Sequence, residues 1–566
     1  MSKHGSWKVG ILIGTVAVCA WIYSIRAADT GASVQGVVKD SSGAPVSGAF
    51  VKLINSERHL TYMVISQAQG RYTVANVISG KYTAQGVGNG HQSEAAPVDV
   101  STGRPATADV SLTADQAAML APAWPGRLPG QVGGETEEST RAISLPDGDG
   151  KELVGTRCKQ CHDLARVVNN RADRAKWQET VQSMRDYAQS TTLMKDWTDT
   201  EQKTIVDYLA ANIKGSERAP RPKPDSNSRL PRTLLQGENA NYIIVDYQIP
   251  GRVVEPHEIT LDARGNAWVS ERTGGKLGKL DANSLNFSEV NPPPAASKAV
   301  HLNGIVKGEG DKLWLVDGGP NRRFIEFDSK TSEFNVFVAP KLKAGAPTGN
   351  TMRVHPDGTI WLSGIASDTM IGLNPLTKKF VVYDVMAGVK VGKRATPYGM
   401  AVAGDGKVWF AENGVDQMGR LDPSTGKIDD FPIPLKTSQR LLPRKVGYDK
   451  DGNIWVGLWG VGKLLKIDYK TTKMTIYTPP TENAGVYSTC GDLKNGYIWF
   501  SEQQVDKIAR FDPKTEKFME FPVPYAETDT RRIEVDQNNP NRVWYSGVTS
   551  NRIGYIELTD GNAKHL

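Results

Sequence analysis

PYGMAVAGDGKVWFAENGVDQMGRLDPSTGKIDDFPIP, residues 397–434, is one unit of a pattern that fills the C-terminal half of the chain. It reads as a strand, a tight turn at a glycine, a second strand, and two more strands joined by a D-P-S-T-G turn. The phrase in its second strand recurs as GNAW, DKLW, GTIW, GKVW, GNIW, GYIW and NRVW, ending at Trp268, Trp314, Trp361, Trp409, Trp455, Trp499 and Trp544. The steps are 46, 47, 48, 46, 44 and 45 residues. A period in the forties with four strand-like runs per unit predicts β-propeller blades, and the seven tryptophans predict seven of them. The last unit stops at RIGYIEL and lacks a fourth strand, whereas IIVDYQIP (243–250) matches the fourth strands KIDDFPIP and EKFMEFPVP. That N-terminal strand is expected to complete the last blade and leave no open sheet edge. The propeller is placed at residues 241–560.

The chain ahead of it reads differently. VQGVVKDSSGAPVSGAFVKLINS (34–56), QGRYTVANVISGKYTAQGVG (69–88) and PVDVSTGRPATADVSL (97–112) are short alternating strands broken by Ser-Gly, Pro and Gly turns. The pattern G-x-V-x-D-x-x-G-x-P-V-x-G-A-x-V-x-L, followed by two G-x-Y units, resembles the carboxypeptidase regulatory-like domain over residues 33–113. The resemblance implies a small antiparallel sandwich without catalytic groups, a structural or docking module. His59 and His91 are then surface residues.

Between the two lies RCKQCHDLARV (157–167), which holds two of the four cysteines in 566 residues. Cys158 and Cys161 with His162 directly after them form C-x-x-C-H, the attachment site of c-type haem. The thiols add to the vinyl groups and the adjacent imidazole takes one axial position on the iron. The context is helical. Trp177, Val181 and Met184 recur at helical steps, and TDTEQKTIVDYLAANI opens with Thr198 and Glu201 as a capping box above a stripe of Ile205, Tyr208, Leu209 and Ile213. Residues 144–214 resemble a class I cytochrome c domain. No histidine besides His162 lies in this stretch, so the sixth ligand falls to a methionine, Met184 first and Met194 as the alternative. A His/Met pair raises the reduction potential and suits electron transfer. One C-x-x-C-H motif means one covalent haem. The flanking segments 114–143 and 215–240, rich in Pro, Gly and charge, read as extended linkers.

Length and composition agree with this organisation. At about 150 residues per domain the chain holds three to four; it is 39% hydrophobic and 23% charged, and 56 Gly with 32 Pro point to a multidomain, mainly β protein. A net charge of +6 without a block of like charges gives no reason for a nucleic-acid partner. MSKHGSWK, then VGILIGTVAVCAWIYSI, then RAADT is the plan of a secretory signal over residues 1–28, cleaved after Ala27 or Ala28; the rival is an uncleaved membrane anchor. Cys19, preceded by Val18, does not fit a lipidation site. The protein is thus expected in the periplasm or exported, where cysteines are usually disulfide-bonded, which makes the adjacent pair at 158 and 161 the more telling.

The units PHEITLDARGNAWVSE and MGRLDPSTGKIDDFPIP look like the streptogramin (virginiamycin B) lyase propeller. Counting from the hairpin turn at Arg264, His257 and Glu271 are cross-strand neighbours at one end of the first blade. The same offsets give Asn303 with Asp317, Asn350 with Gly364, Tyr398 with Glu412, Arg444 with Leu458, Ser488 with Glu502, and Arg532 with Gly547: a polar, charged ring at one mouth. The resemblance implies that a His–Glu pair such as His257 and Glu271 holds a magnesium ion, with a histidine base starting an elimination. The sequence departs from that pattern. The pair occurs in one blade only, His301 lies two residues before the corresponding position, and His355 falls in a turn at the opposite end. His257 bonded to Glu271 as a plain rim residue is the other reading, and Cys490 is expected to be a small buried residue.

Two classes of function follow. One is an exported mono-haem cytochrome in electron transfer, its propeller binding a small-molecule substrate or a periplasmic redox partner. The other is an enzyme at the propeller mouth, a metal-dependent lyase or a dehydrogenase that passes electrons to the haem. A lyase has no evident need of a covalent haem, so electron transfer is the leading expectation.

Overall fold

The computed structural model describes residues 32–115, 145–158, 167–168, 172–190, 197–214 and 234–560, the last without 252–253, 298–299, 319, 343–348, 366 and 526–527. The expected signal segment, Cys19, Cys161, His162 and Met194 lie outside the described residues. Within them, no helix is long and apolar enough to cross a membrane.

Residues 242–558 form seven four-stranded antiparallel sheets. Six are continuous in sequence, from Pro256–Val290 to Val486–Pro522; the seventh joins Thr530–Val535, Arg542–Gly547 and Arg552–Leu558 to the strand Tyr242–Gln248. Tyr242 pairs with Leu558 and Gln248 with Arg552, so the expected closure by the N-terminal strand is the one observed. The innermost strand of the first blade also packs on that of the last, which completes the ring.

The repeat follows from local chemistry. At the first turn of blade one, Asp262 Oδ1 accepts from the N–H of Arg264 and Asn266 (2.9 and 3.0 Å), and Oδ2 accepts from Trp268 Nε1 at 3.1 Å. Asp449 does the same with Asp451, Asn453 and Trp455. Gly265 and Gly452 sit at φ +82° and +86°, where a side chain would be strained. All seven tryptophans are 3% exposed or less, and in blades two to six each packs on an aromatic ring of its own fourth strand, as Trp409 does on Phe431 at 4.9 Å.

The N-terminal residues form two sheets, as expected for a sandwich: Ala32–Asp40 with Arg71–Val77 and two short strands, against Phe50–Asn55, Leu60–Ile65 and Gly80–Gly88. The strand Leu60–Ile65 pairs antiparallel with Tyr242–Gln248, from Leu60 opposite Tyr247 to Val64 opposite Ile243. The second sheet therefore continues the seventh blade into one ten-stranded sheet, and the outer edge of that blade is covered. Lys52, fully buried, donates to Pro524 O at 3.3 Å and lies 5.0 Å from the Tyr525 ring centre. Of the stretch read as an extended linker (215–240) the described residues begin at Leu234; Leu234 and Leu235 pack on the sandwich, and Leu235 N–H donates to Gly48 O at 3.0 Å. Two apolar side chains in a charged, Pro-rich segment are what seat it. His59 is exposed in the hairpin turn, 6.3 Å edge-on from Tyr247, and His91 is half-buried.

The middle segment contains helices α1 (Lys151–Arg157), α2 (Arg174–Ser190) and α3 (Asp199–Asn212). The capping box at Thr198 and Glu201 is present. Leu145, Val154, Trp177, Val181, Trp197, Ile205, Tyr208 and Leu209 make its core.

The closing strand carries a polar lock. Asp246, 1% exposed, accepts from Tyr545 Oη at 2.5 Å and pairs with Arg552. Removing one partner of a buried pair leaves the other charge uncompensated. Asp246→Ala is expected to lower the unfolding free energy by about 3–5 kcal/mol, read by denaturant unfolding, whereas Lys427→Ala on the surface changes it little.

Candidate functional site

Every innermost strand breaks register near the same end. Pro256 pairs with Glu271 but Glu258 with Ser270, and equivalent one-residue irregularities fall at 303–304, 350–351, 398–399, 444–445, 487–488 and 531. Seven β-bulges thus ring one mouth of the propeller, and a bulge re-aims the side chains it carries. The bulge carbonyls find partners across blades: Ser270 Oγ donates to Asn303 O at 3.1 Å and Ser363 Oγ to Tyr398 O at 2.5 Å.

The bulges correct the cross-strand pairs expected from counting. The terminal residues Glu271, Asp317, Gly364, Glu412, Leu458, Glu502 and Gly547 pair with Pro256, Leu302, Gly349, Pro397, Pro443, Val486 and Thr530. The residues expected opposite them, His257, Asn303, Asn350, Tyr398, Arg444 and Ser488, lie within the bulges, and Arg532 pairs with Ser546 just past its own. The acidic members of the expected ring turn into the blades. Glu271 Oε2 fills the space where a Cβ on Gly274 would stand, and Glu412 Oε1 lies 2.9 Å from the same point on Gly419. Asp317 pairs with Arg323 at 2.8 Å.

His257 is 2% exposed, with Nδ1 2.9 Å from Asn303 O. A carbonyl only accepts, so Nδ1 carries the proton and Nε2 has the lone pair. Burial holds the imidazole well below its ordinary pKa, helped by Lys445, Arg272 and Arg531, so it is neutral at pH 7. Ser270 reaches the same Asn303 carbonyl, and strand alternation sends its neighbour Glu271 to the other face. His301, half-buried at the rim, is pushed down to about 4 by burial and by Arg272. His355 lies at the opposite end as expected, its Nε2 2.8 Å from Gly406 O. Among the described residues no group of three or more His, Cys, Asp or Glu could hold a metal ion.

What the bulges bring together is cationic and aromatic. Lys445, fully buried, pairs with Glu258 and donates to Thr351 Oγ1 at 2.8 Å. Arg531 meets Asp529 at 2.9 Å, Asp529 also accepts from Gln503, and Gln503 Oε1 accepts from Trp459 Nε1 at 2.5 Å. Arg444 lies 5.0, 5.2 and 5.5 Å from the ring centres of Tyr398, Trp459 and Tyr487, and the two tyrosine hydroxyls are hydrogen-bonded. Burial raises Tyr398, but Arg444, Lys445 and Arg531 outweigh it and hold the phenol below its ordinary range; burial and Tyr398 push Tyr487 up. Deeper in the channel Arg532 bonds Glu534 at 2.5 Å. Cys490 faces this pair and is half-buried, its thiol pushed up to about 12 by burial and Glu534. Counting offsets missed Glu258, Lys445, Tyr487, Arg531 and Trp459. Two consecutive polar residues inside an otherwise apolar first strand, as in PRKVGY, are the trace a bulge leaves.

Both β units have recognisable relatives. The model of the Virginiamycin B lyase family matches residues 294–565, and that of the Carboxypeptidase regulatory-like domain matches residues 33–113. A streptogramin B lyase structure is 21% identical with TM-score 0.50, covering 57% of this chain and 100% of its own. The propeller has the streptogramin lyase fold. A selenomethionine form of virginiamycin B lyase from Staphylococcus aureus is 17% identical with TM-score 0.49, covering 56% of this chain and 99% of its own. No curated protein matches the chain. His257 and Glu271 lie before the stretch that the lyase family model covers.

Glu412 gives a pH prediction. Burial and Asp430 push its carboxyl up to about 8 from an ordinary 4.5. The folded state then binds the proton more tightly than the unfolded chain, so this contribution is fully present below pH 4.5 and is lost as pH rises through 8. Glu412→Gln is expected to flatten the fall in melting temperature between pH 5 and 8; melting curves of both proteins across that range check it.

Proposed function

We propose that the protein is an exported mono-haem c-type cytochrome that carries single electrons, with a propeller mouth that binds a small-molecule substrate or a periplasmic redox partner. The observation that carries the reading is the sequence motif Cys158-x-x-Cys161-His162, whose first cysteine directly follows α1.

The residues present fit a haem c. Two thiols, an imidazole and a thioether are the donor set such a group takes. Cys158 follows α1, its N–H bonded to Val154 O, and packs at the edge of the helical core. Met184 continues the α2 face on which Trp177 and Val181 are buried, yet it is 36% exposed, an apolar thioether left open on that stripe. The bound group supplies one-electron exchange. Cys158 and Cys161 would hold it covalently, and His162 with Met184, or with Met194 as the alternative, would ligate its iron.

A second reading, magnesium-dependent elimination at His257 and Glu271, or oxidation of a substrate at the same mouth, draws on the lyase fold of the propeller. The neutral His257 imidazole with a lone pair on Nε2 suits a base. Glu271 turned toward Gly274, in a blade the family model does not cover, weighs against a shared metal.

A reduced-minus-oxidised visible spectrum of protein matured with haem-attachment machinery tests the first reading. The expected result is a low-spin c-type spectrum whose sulfur-to-iron band is lost in Met184→Ala and kept in Met194→Ala. Absence of covalent haem would overturn it and leave elimination at His257 as the reading to assay.

A further inference from the structure

We propose that the propeller mouth is a carboxylate-binding site with Arg444 as its anchor. This deepens the reading of the mouth as a substrate site and names the class of ligand.

Among the described residues, one cation at the mouth has no counter-charge. Lys445 is answered by Glu258, and Arg531 by Asp529. Arg444 is 5% exposed, and among the described residues it makes no salt bridge or hydrogen bond; its Nε is buried without a partner. A buried cation is normally paired, because desolvation without a counter-charge is costly. What Arg444 has is Tyr398, Trp459 and Tyr487 around it. Rings attract a guanidinium but accept none of its in-plane N–H bonds, so its fork stays available for a planar, bidentate partner. A carboxylate is that partner.

The surroundings keep the fork in place. Trp459 is fixed through Gln503 to Asp529, and the Tyr398–Tyr487 hydroxyl pair fixes the other two rings. The groups acting on Tyr398 from the neighbouring bulges are Arg444, Lys445 and Arg531, all cationic, and they favour a negative charge at its hydroxyl. At the mouth the surplus is the single charge of Arg444, which matches a monocarboxylate better than a doubly charged phosphate; Arg353, deeper in the channel and also without a salt bridge among the described residues, already donates to Met352 O and Val446 O. Arg420 also stacks on Trp409 and Phe431 and has Asp429 at 2.8 Å, so a ring-stacked arginine of this propeller can still carry a counter-charge.

Calorimetric titration of the full haem-loaded chain with benzoate, acetate, benzamide and inorganic phosphate tests the proposal. Benzoate and acetate are expected to saturate at one site, benzamide and phosphate to bind at least about ten-fold more weakly, and Arg444→Gln to lose at least about ten-fold in benzoate affinity. Arg444→Lys, which keeps the charge without the fork, is expected to fall between and serves if the Gln variant does not fold. Equal binding of benzoate and benzamide, benzoate affinity unchanged in Arg444→Gln or Arg444→Lys, or no carboxylate uptake by the wild type would overturn it. Haem content of the same samples separates the outcomes: full haem without carboxylate uptake removes the anchor and leaves the electron carrier standing.

Discussion

The ring depends on one strand. Tyr242–Gln248 pairs with Arg552–Leu558, some three hundred residues later in the chain, and on its other side with the sandwich strand Leu60–Ile65. Until it is in place the seventh blade has three strands, the outer edge of Arg552–Leu558 is unpaired, and the chain entering the first blade is not tied to the last. The sandwich, which carries no catalytic group by resemblance, thereby serves the propeller structurally, because it covers the edge that closure would leave exposed. Its own Lys52 and Thr61 reach Pro524 and Tyr525 beside the seventh blade, so the two units share polar contacts as well as a sheet.

The mouth follows from the same architecture. Seven strands converge on the axis, and a bulge in each inserts one extra residue at the opening. Without the bulges, period-two alternation would keep His257, Tyr398, Arg444 and Tyr487 in fixed faces of their blades. With them, side chains from blades four to seven meet at hydrogen-bond and stacking distance. Two acidic residues at the ends of second strands point elsewhere: Glu412 and Glu502 withdraw into the blades, where burial keeps both protonated more readily than usual. The result is a mouth biased toward cations and rings, which sets the kind of molecule it can receive.

Blade number and closure were legible because Trp268 through Trp544 recur at a nearly constant step and because IIVDYQIP repeats the fourth-strand pattern. The capping box at Thr198 was legible for the same reason, a side chain acting on backbone three residues away. The pairing at the mouth was not, since counting from Arg264 assumes an unbroken ladder, and one inserted residue moves His257 off Glu271. Arg444 with Leu458 gave no signal for that reason. The seating of Leu234 and Leu235 on the sandwich was also hidden, because Pro and charge around them outweigh two apolar residues in any local reading.

The electron-carrier account rests on thioether attachment at Cys158 and Cys161. Its most direct test is the intact mass of the denatured full-length protein, matured with haem-attachment machinery, beside a Cys158→Ser, Cys161→Ser double variant. The account predicts that the wild type keeps the mass and colour of one haem after denaturation and that the double variant keeps neither. A denatured wild type without haem would contradict it.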